Sequence, residues 1–391
     1  MILQTRMKNL LFLFLIFSVS NITAQSFRTV SVLDSADSKP IANAKILTGS
    51  SVLYTNEDGK VFIPEQIKNI EISAPWYGQK KISALSSPIY LNPLFKEIEE
   101  VVVTNIDLKN LFKNIIDTYS TVYYSNPSLY TGTVKQKSFV DSKIAHLLVA
   151  DVNVWSRFNY FNFNAGNDTD SFFNIGLNDI KYYKTIKLDE KYPFASVPNL
   201  LPKDFIGTFY MNYQIVGMLN TLKDLKIKTS LLYENAGIQK LRFESERNDQ
   251  FEIKFTGFLT YNKNDRAIVN LNVVIDQNFA QSEKVSKTGE PYISNTTKAE
   301  VFFDFYKRNN QYLPSLITVM GEGYSESKTM KVPFKAYQEI KLEKFSEGSK
   351  RGLKKKIDLS KSFIENISDK DINETKTLLS AQEQKFIDAK S

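Results

Sequence analysis

The chain has 391 residues, of which 42% are hydrophobic and 13% aromatic, so it can bury a sizeable core and is not a generally disordered protein. Its formal net charge is +7 at pH 7, and it contains no cysteine, which excludes disulfides, thiol nucleophiles, thiolate zinc sites and iron–sulfur clusters. The length predicts about two to three domains. The 20 tyrosines and 28 phenylalanines favour β-structure.

Residues 1–24 have the pattern of a secretory signal peptide. Arg6 and Lys8 form a basic start, residues 10–19 form an apolar run, and Ala24 suits the end of a cleavage site. The apolar run is too short to span a bilayer comfortably, and an uncleaved N-terminal anchor is the alternative. We therefore predict export of the mature chain, which argues against a nucleic-acid partner.

Residues 26–95 alternate short apolar runs with turn residues about every ten positions, as the strands of a β-sandwich do. Within this region, Asp58 and Gly59 stand just before an alternating run at 60–63. Gly tolerates positive φ and Asp can bond its own backbone, so the pair predicts a structural turn that closes a hairpin. A further extended segment, 96–105, is predicted to link this domain to the rest of the chain.

Residues 106–345 are predicted to form an α+β domain with a large curved antiparallel sheet. Apolar residues recur at helical spacing over 106–122, and Asp107 suits the start of that helix. A second helical segment is predicted over 201–222, whereas 164–200 have poor periodicity and are predicted to be a long loop with short strands. Turn residues between the strands favour antiparallel neighbours. The strands are predicted at 131–140, 145–158, 238–243, 251–261, 267–275, 299–306, 313–321 and 330–340.

Residues 346–391 form a charged tail, with an amphipathic helix predicted at about 370–388. The tail begins with a dense basic run, which is either a solvated linker or a surface for peripheral contact with anionic lipid or polysaccharide. The cations of this run are Lys350, Arg351, Lys354, Lys355 and Lys356.

Four segments in the first domain carry a family resemblance; they are PIANAKI at 40–46, TNEDGKVFI at 55–63, IEIS at 70–73 and IYLNP at 89–93. Together they resemble the carboxypeptidase-regulatory-like domain, a seven-stranded transthyretin/Ig-like β-sandwich of secreted and outer-membrane bacterial proteins. Arg28 stands where that family usually has Gly. The resemblance implies the periplasm or outer membrane of a Gram-negative bacterium. In metallocarboxypeptidases this module is not catalytic, and with the single histidine His146 a zinc-peptidase site cannot be built.

Two further resemblances concern the rest of the chain. The segment 94–104 resembles the strand that leaves this module in TonB-dependent receptors, but a barrel of about 22 strands needs more residues than follow Thr104. The helix at 106–122, followed by strand hairpins, resembles the half-barrel of periplasmic lipoprotein carriers (LolA-like), in which a sheet wraps an apolar cavity and helices close it. The resemblance implies that the helical segment 201–222 acts as a lid.

The predicted function is that of a non-enzymatic exported cell-envelope protein that binds an apolar or amphipathic ligand, lipid or glycan, or an envelope partner protein, through its C-terminal domain. A structural adaptor of the outer membrane is the alternative, and a carboxylate-based hydrolase such as a glycosidase is a third hypothesis. No catalytic, cofactor-binding or metal-ligating residue is predicted. The candidate ligand-binding residues are the aromatic side chains of two segments. They are Trp155, Phe158, Tyr160, Phe161, Phe163, Phe205, Phe209 and Tyr213.

Overall fold

The computed structural model describes most of the chain between residues 26 and 389. The described ranges are 26–49, 51–94, 102–104, 106–164, 169–188, 192, 201–250, 252–277, 281–286, 289–366 and 378–389. The predicted signal peptide, 1–24, and most of the predicted linker, 96–105, lie outside them. In the part that is described, no helix is long and apolar enough to cross a membrane.

Seven short strands form the predicted β-sandwich in two sheets, ordered β4-β1-β7 and β3-β2-β5-β6. Alternate residues such as Val30, Val32, Ile46, Ile63 and Ile72 point into a shared apolar core, which is the pattern that a half-buried strand requires. The strands are β1 (Phe27–Asp34), β2 (Lys45–Leu47), β3 (Val52–Tyr54), β4 (Lys60–Pro64), β5 (Ile70–Ser73), β6 (Lys80–Ile82) and β7 (Ile89–Leu91).

The turn at Asp58 and Gly59 differs from the predicted hairpin. The backbone N–H of Asn56 donates to the carbonyl of Lys60 at 2.8 Å, and Gly59 has φ +69°. A Cβ on Gly59 would lie 2.6 Å from the carbonyl oxygen of Val32, so both space and conformation require glycine. However, β3 and β4 belong to different sheets. The turn therefore carries the chain from one layer of the sandwich to the other instead of pairing its flanking strands.

The second part of the chain is built on one large antiparallel sheet, as predicted. Its eleven strands run in the order β11-β10-β9-β19-β18-β17-β15-β14-β13-β12-β8, and β16 pairs with the outer end of β17. The strands are β8 (Val102–Thr104), β9 (Ser128–Val140), β10 (Lys143–Ser156), β11 (Phe173–Thr185), β12 (Ile227–Asn235), β13 (Ile238–Ser245), β14 (Ile253–Asn262), β15 (Ala267–Gln277), β16 (Gln281–Val285), β17 (Pro291–Arg308), β18 (Gln311–Glu326) and β19 (Lys331–Glu347).

Strand β11 corrects the prediction of a long loop over 164–200. Its thirteen residues pair with β10 along their whole length. Two register shifts in this pairing interrupt the alternation of apolar side chains, and such bulges remove the period-2 signal on which the prediction depended. Strand β12 escaped prediction as well, since its side chains are mostly half-buried on both faces.

Helices cover one face of this sheet, which we call the inner face. They are α1 (Leu108–Asp117), α2 (Tyr119–Val122), α3 (Ile206–Phe209), α4 (Met211–Thr221) and, elsewhere, α5 (Ala381–Asp388). The helix predicted over 106–122 thus forms in two pieces that meet at Thr118, and the carboxylate of Asp107 caps the first by accepting from the N–H of Asn110 at 3.1 Å. Because α3 and α4 connect β11 at one end of the sheet to β12 near the other, they cross the inner face and share one core with it.

The segment after β19 packs against this same core. Ile357, Leu359 and Phe363 are buried in it, and the N–H of Ile357 donates to the carbonyl of Ile175 in β11 at 3.0 Å. The lysines of the predicted basic run stay at the surface, and one of them, Lys356, forms an ion pair with Asp170 at 2.6 Å. Residues 350–363 are therefore folded onto the domain and are not a free linker.

The opposite, outer face of the sheet receives the sandwich and helix α5. Helix α5 begins at Ala381 and not near 370 as predicted; the stretch 367–377 lies outside the described residues. Ser380 and Glu383 form a reciprocal capping box at its start. The turn between β3 and β4 of the sandwich contacts this helix start, because the carboxylate of Asp58 accepts from the backbone N–H of Ala381 at 2.8 Å.

Glu383 is the centre of a buried ion network beneath α5. Its carboxylate lies 3.0 Å from the ammonium of Lys135 and 3.2 Å from that of Lys137, and Lys137 also pairs with Glu57 of the sandwich. Burial by itself raises the pKa of Glu383, but the two lysines and the backbone N–H of Ser380 outweigh it and lower the pKa to about 2. The network therefore ties the sheet, the sandwich and the C-terminal helix together.

We expect Glu383→Gln to lower the free energy of unfolding at pH 7 by roughly 3 kcal/mol, because it leaves two buried ammonium groups without their shared partner. The pKa of Glu383 in the folded protein, about 2, is below its ordinary value of 4.5. The stabilisation is therefore complete above about pH 4.5 and is lost as the pH falls towards 2. Urea denaturation should show a difference in the free energy of unfolding between wild type and Glu383→Gln that is large at pH 7 and much smaller at pH 3. Lys385→Gln, on the exposed side of the same helix, is the control. Equal stabilities of wild type and Glu383→Gln at pH 7 would contradict the network.

Candidate functional site

Four buried polar residues stand in one line across the outer face of the sheet. The antiparallel register aligns Lys240 with Thr260, Thr260 with Asn270, and Asn270 with Asp304, on β13, β14, β15 and β17. We call these four residues the polar row. Their sequence neighbours Leu241, Leu259, Leu271 and Phe303 are buried on the inner face, so alternation turns the row outward. The four residues are 4–8% exposed, although they lie on the face away from the main core.

The sandwich covers the polar row incompletely and leaves a cavity of about 430 Å³ between the two domains. We call this cavity the interdomain cleft. Its volume falls in the range of small-molecule sites. The sandwich lines it with polar and aromatic residues that include Lys45, Glu71, Ser73 and Tyr77, and the sheet lines it with the polar row together with residues that include Tyr233, Asn262, Tyr306 and Tyr312.

At the Asp304 end of the row, both charged groups have hydrogen-bonding partners within the protein. The ammonium of Lys45 lies 2.8 Å from the carboxylate of Asp304 and also donates to the carbonyl of Phe305 at 2.7 Å. The hydroxyl of Tyr54 donates to the same carboxylate at 3.0 Å. A buried carboxylate with two such donors needs no further partner, so this end fastens the sandwich to the sheet.

The Lys240 end differs sharply. The ammonium of Lys240 donates to the carbonyl of Pro75 at 3.3 Å and lies 5.6 Å from the ring centroid of Trp76. Lys240 forms no salt bridge: no carboxylate oxygen of a described residue lies within 4.0 Å of its ammonium nitrogen. Burial lowers the pKa of Lys240 from 10.5 to about 8, because the charged form is poorly solvated there. The cleft thus holds a buried cation that has no anion among the residues that the structure describes.

Trp76 is held in an unusual backbone conformation beside Lys240. It has φ +110°, a region that a bulky side chain rarely adopts. Its indole packs on Phe258 of the sheet, with ring centroids 4.6 Å apart. Strain of this kind persists only where surrounding contacts enforce it, and it concentrates at ligand sites. The loop at Pro75 and Trp76 is therefore fixed against the sheet at the mouth of the cleft.

Asn270, in the middle of the row, carries a second unmet polar atom. Its side-chain oxygen Oδ1 is buried and accepts no hydrogen bond from any described residue. A buried acceptor without a donor costs about 1–3 kcal/mol. The neighbouring hydroxyl of Thr260 can serve as donor or acceptor. The row therefore offers a cation, a hydroxyl and an amide oxygen side by side.

The aromatic residues expected to bind ligand pack largely on one another and on the inner-face core. Phe161 contacts four rings, those of Phe163, Phe172, Tyr210 and Tyr213. Phe209 is buried against Phe173, and the indole N–H of Trp155, which is also buried, donates to the carbonyl of Gly348 at 3.2 Å. Phe158 packs on Tyr160. The side chain of Phe205 lies outside what the structure describes.

Two members of that aromatic set remain at the surface. Phe163 is 53% exposed and Tyr213 is 39% exposed, and their rings stack with centroids 5.9 Å apart. The helical segment 201–222, which was expected to act as a lid, is part of the hydrophobic core, since Ile206, Ile215 and Met218 are buried against the inner face of the sheet. The geometry therefore favours the outer face, and not the inner one, as the place for a ligand.

The residues of the polar row were not recognisable from the sequence. Each one is a single polar position within a predicted strand, where an outward polar residue is ordinary. Only the register brings the four together, and only the sandwich buries them. Among the described residues, no group of three or more His, Asp or Glu side chains could hold a metal ion, and the single histidine, His146, lies on β10, away from the cleft.

Comparison with known proteins adds little to this geometry. No family model matches the chain, and no curated protein matches it. A solved crystal structure from Bacteroides fragilis, described as a "putative membrane-associated protein of unknown function", aligns with 82% of this chain and 97% of its own, at 7% identity and a TM-score of 0.14. Because so low a score carries no argument, the proposals below rest on the described residues.

Lys240→Met keeps the length of the side chain and removes the unpaired charge. We expect it to raise the free energy of unfolding of the ligand-free protein by roughly 1–3 kcal/mol at pH 7. The pKa of Lys240 is about 8 in the folded protein against an ordinary 10.5. As the pH rises from 8 to 10.5, the folded wild type loses the buried charge and with it the free-energy cost of burying that charge. The difference should therefore shrink by pH 10, which urea denaturation at both pH values measures.

The matched control for this variant is Lys307→Met. Lys307 also lines the cleft, but it is exposed and paired with Asp265 at 2.7 Å, so its loss should change stability by less than about 1 kcal/mol. A Lys240→Met protein that is no more stable than wild type at pH 7 would show that Lys240 has no unmet charge.

Proposed function

We propose that the protein is a non-enzymatic, exported binding protein of the cell envelope whose ligand occupies the interdomain cleft. The observation that carries this proposal is the combination, in one cavity, of a buried cation and a buried acceptor that find no anion and no donor among the described residues. Both are costly in the ligand-free protein. A ligand that meets both needs recovers that cost, which is how a polar site gains affinity and specificity.

The arrangement favours binding over hydrolysis. The buried carboxylate of the row, Asp304, is engaged by the ammonium of Lys45 and the hydroxyl of Tyr54, so both of its oxygens already have a partner within the protein. A carboxylate-based glycosidase needs two acids that face each other across the substrate. Glu71 also lines the cleft, but Asp304 is already committed to joining the domains.

Both domains are required for the site, which gives the sandwich a role beyond its fold. The sandwich supplies Pro75 and Trp76 at one end and Lys45 at the other, while the sheet supplies the polar row. Export, proposed from the N-terminal signal pattern, would expose this cleft to the periplasm or to the surface of the outer membrane. The resemblance of the sandwich to modules of secreted and outer-membrane proteins supports that location.

Native mass spectrometry of the protein purified from its own envelope tests the proposal. Wild type should carry a bound small molecule, and Thr260→Trp, which fills the cleft, should lose it. Thr256→Trp is the matched control, because Thr256 lies on the same strand and outside the cleft lining. Asn270→Leu, which keeps the volume and removes the acceptor, should also lose most of the ligand. The proposal fails if wild type carries no ligand, or if Thr260→Trp, with a melting temperature like that of wild type, retains it.

A further inference from the structure

We infer that the Lys240 end of the interdomain cleft is a subsite for a carboxylate, and that the ligand is a hydroxylated sugar acid, a uronate of an acidic glycan. This inference rests on the proposed function and adds the chemical class of the ligand. It depends on three features of the cleft: the contrasting surroundings of its two buried lysines, the position of the row within the sheet, and the spacing along the row.

The cleft contains two equally buried lysines with opposite surroundings. Lys45 and Lys240 are both 7% exposed. The ammonium of Lys45 lies 2.8 Å from the carboxylate of Asp304 and donates to a backbone carbonyl, and a tyrosine hydroxyl donates to the same carboxylate. The ammonium of Lys240 has only one backbone carbonyl, at 3.3 Å, and an aromatic ring beside it. Because a buried ammonium needs a hydrogen-bonded anion to be stable in its charged form, the missing partner of Lys240 is an acidic group. The Asp304–Lys45 pair shows the arrangement that an incoming carboxylate would reproduce.

The position of the row argues against a peptide ligand. A peptide commonly binds by adding a strand to an open sheet edge, where backbone groups are free. The row instead lies on four interior strands, and each of them is paired on both sides. A ligand on this face meets side chains and not a free backbone ladder, so it must be recognised through functional groups that match the side chains of the row.

The spacing of the row matches a sugar acid. Neighbouring strands lie about 4.8 Å apart, so Lys240 and Asn270, two strands apart, are separated by roughly 10 Å along the face. A carboxylate at Lys240 would leave hydroxyl groups of the same or the adjacent sugar beside Thr260 and Asn270. The Oδ1 of Asn270 requires an O–H or N–H donor, and sugar hydroxyls provide one while also accepting from Thr260.

The tyrosines that line the cleft suit the same class of ligand. Tyr77, Tyr233, Tyr306 and Tyr312 contribute to its walls. The hydroxyls of Tyr77 and Tyr312 donate to Asp34 and Asp265, so these side chains offer a ligand the apolar surface of their rings, which suits the C–H face of a sugar ring. A simple inorganic anion could fill the Lys240 subsite but would leave Asn270 without a donor.

Isothermal titration with a matched pair of probes tests the inference. Digalacturonate and galactobiose with the same linkage share their rings and ring hydroxyls and differ at C6, which is a carboxylate in the first and a CH2OH group in the second. We expect digalacturonate to bind wild type at least about ten-fold more tightly than galactobiose, and Lys240→Met to lose roughly ten-fold or more of the digalacturonate affinity. Lys263→Met is the control: Lys263 is exposed, pairs with Glu234 at 2.9 Å and lies outside the cleft lining, so its loss should leave the affinity within about three-fold of wild type. Asn270→Leu should weaken both probes.

Four results would overturn the inference or the proposal beneath it. Equal affinity for the two disaccharides, or unchanged digalacturonate binding by Lys240→Met, would mean that no carboxylate subsite exists, while cleft binding itself would stand. Tighter binding of inorganic phosphate or of an acidic tetrapeptide than of digalacturonate would replace the sugar acid by that class. An envelope-purified protein without any bound small molecule would instead reject the proposed function on which the inference rests.

Discussion

The buried ion pair between Lys45 and Asp304 determines how the two domains of this protein meet. Charges removed from water are costly unless their partners and hydrogen bonds are complete, and here Tyr54 and the carbonyl of Phe305 complete them. The pair therefore tolerates little displacement of the sandwich over the sheet. It also closes one end of the interdomain cleft, which leaves Lys240, three strands away, as the end where polar groups remain unmet.

A second junction holds the sandwich from another side. The turn after β3 inserts Glu57 and Asp58 between the sheet and the start of helix α5, where Glu57 meets Lys137 and Asp58 accepts from the backbone of Ala381. The two junctions use different chemistry, since one is an isolated pair and the other a network that includes a helix cap. Together they make the sandwich part of the outer face, so the cleft is a fixed feature and not a gap between loosely tethered modules.

Local patterns predicted most of the architecture, and tertiary context decided the rest. Alternation identified β9, β10, β14 and β15 nearly to their ends, because one face of each is apolar. It found only parts of β17, β18 and β19, which extend well beyond the predicted 299–306, 313–321 and 330–340. It missed β11, where two bulges shift the register, and it placed the start of α5 too early, since the capping residue is Ser380. The aromatic run from Trp155 to Phe163 is abundant enough to suggest a ligand site, yet most of its rings pack together in the core. The polar row needed four strand pairings and a covering domain before it became visible.

The two ends of the large sheet bear on how a protein so rich in β-structure avoids association through its strands. A sheet of eleven strands would present two long backbone edges, and an open edge recruits strands from other molecules. Here one edge is the three-residue strand β8, and the other, β11, is bonded along Ile175 to Leu177 by the chain at 355–357. The lysines of that segment are exposed, and Lys356 pairs with Asp170 just before β11. The segment that carries the basic run thus occupies backbone groups of β11 that would otherwise be open to a strand of another molecule.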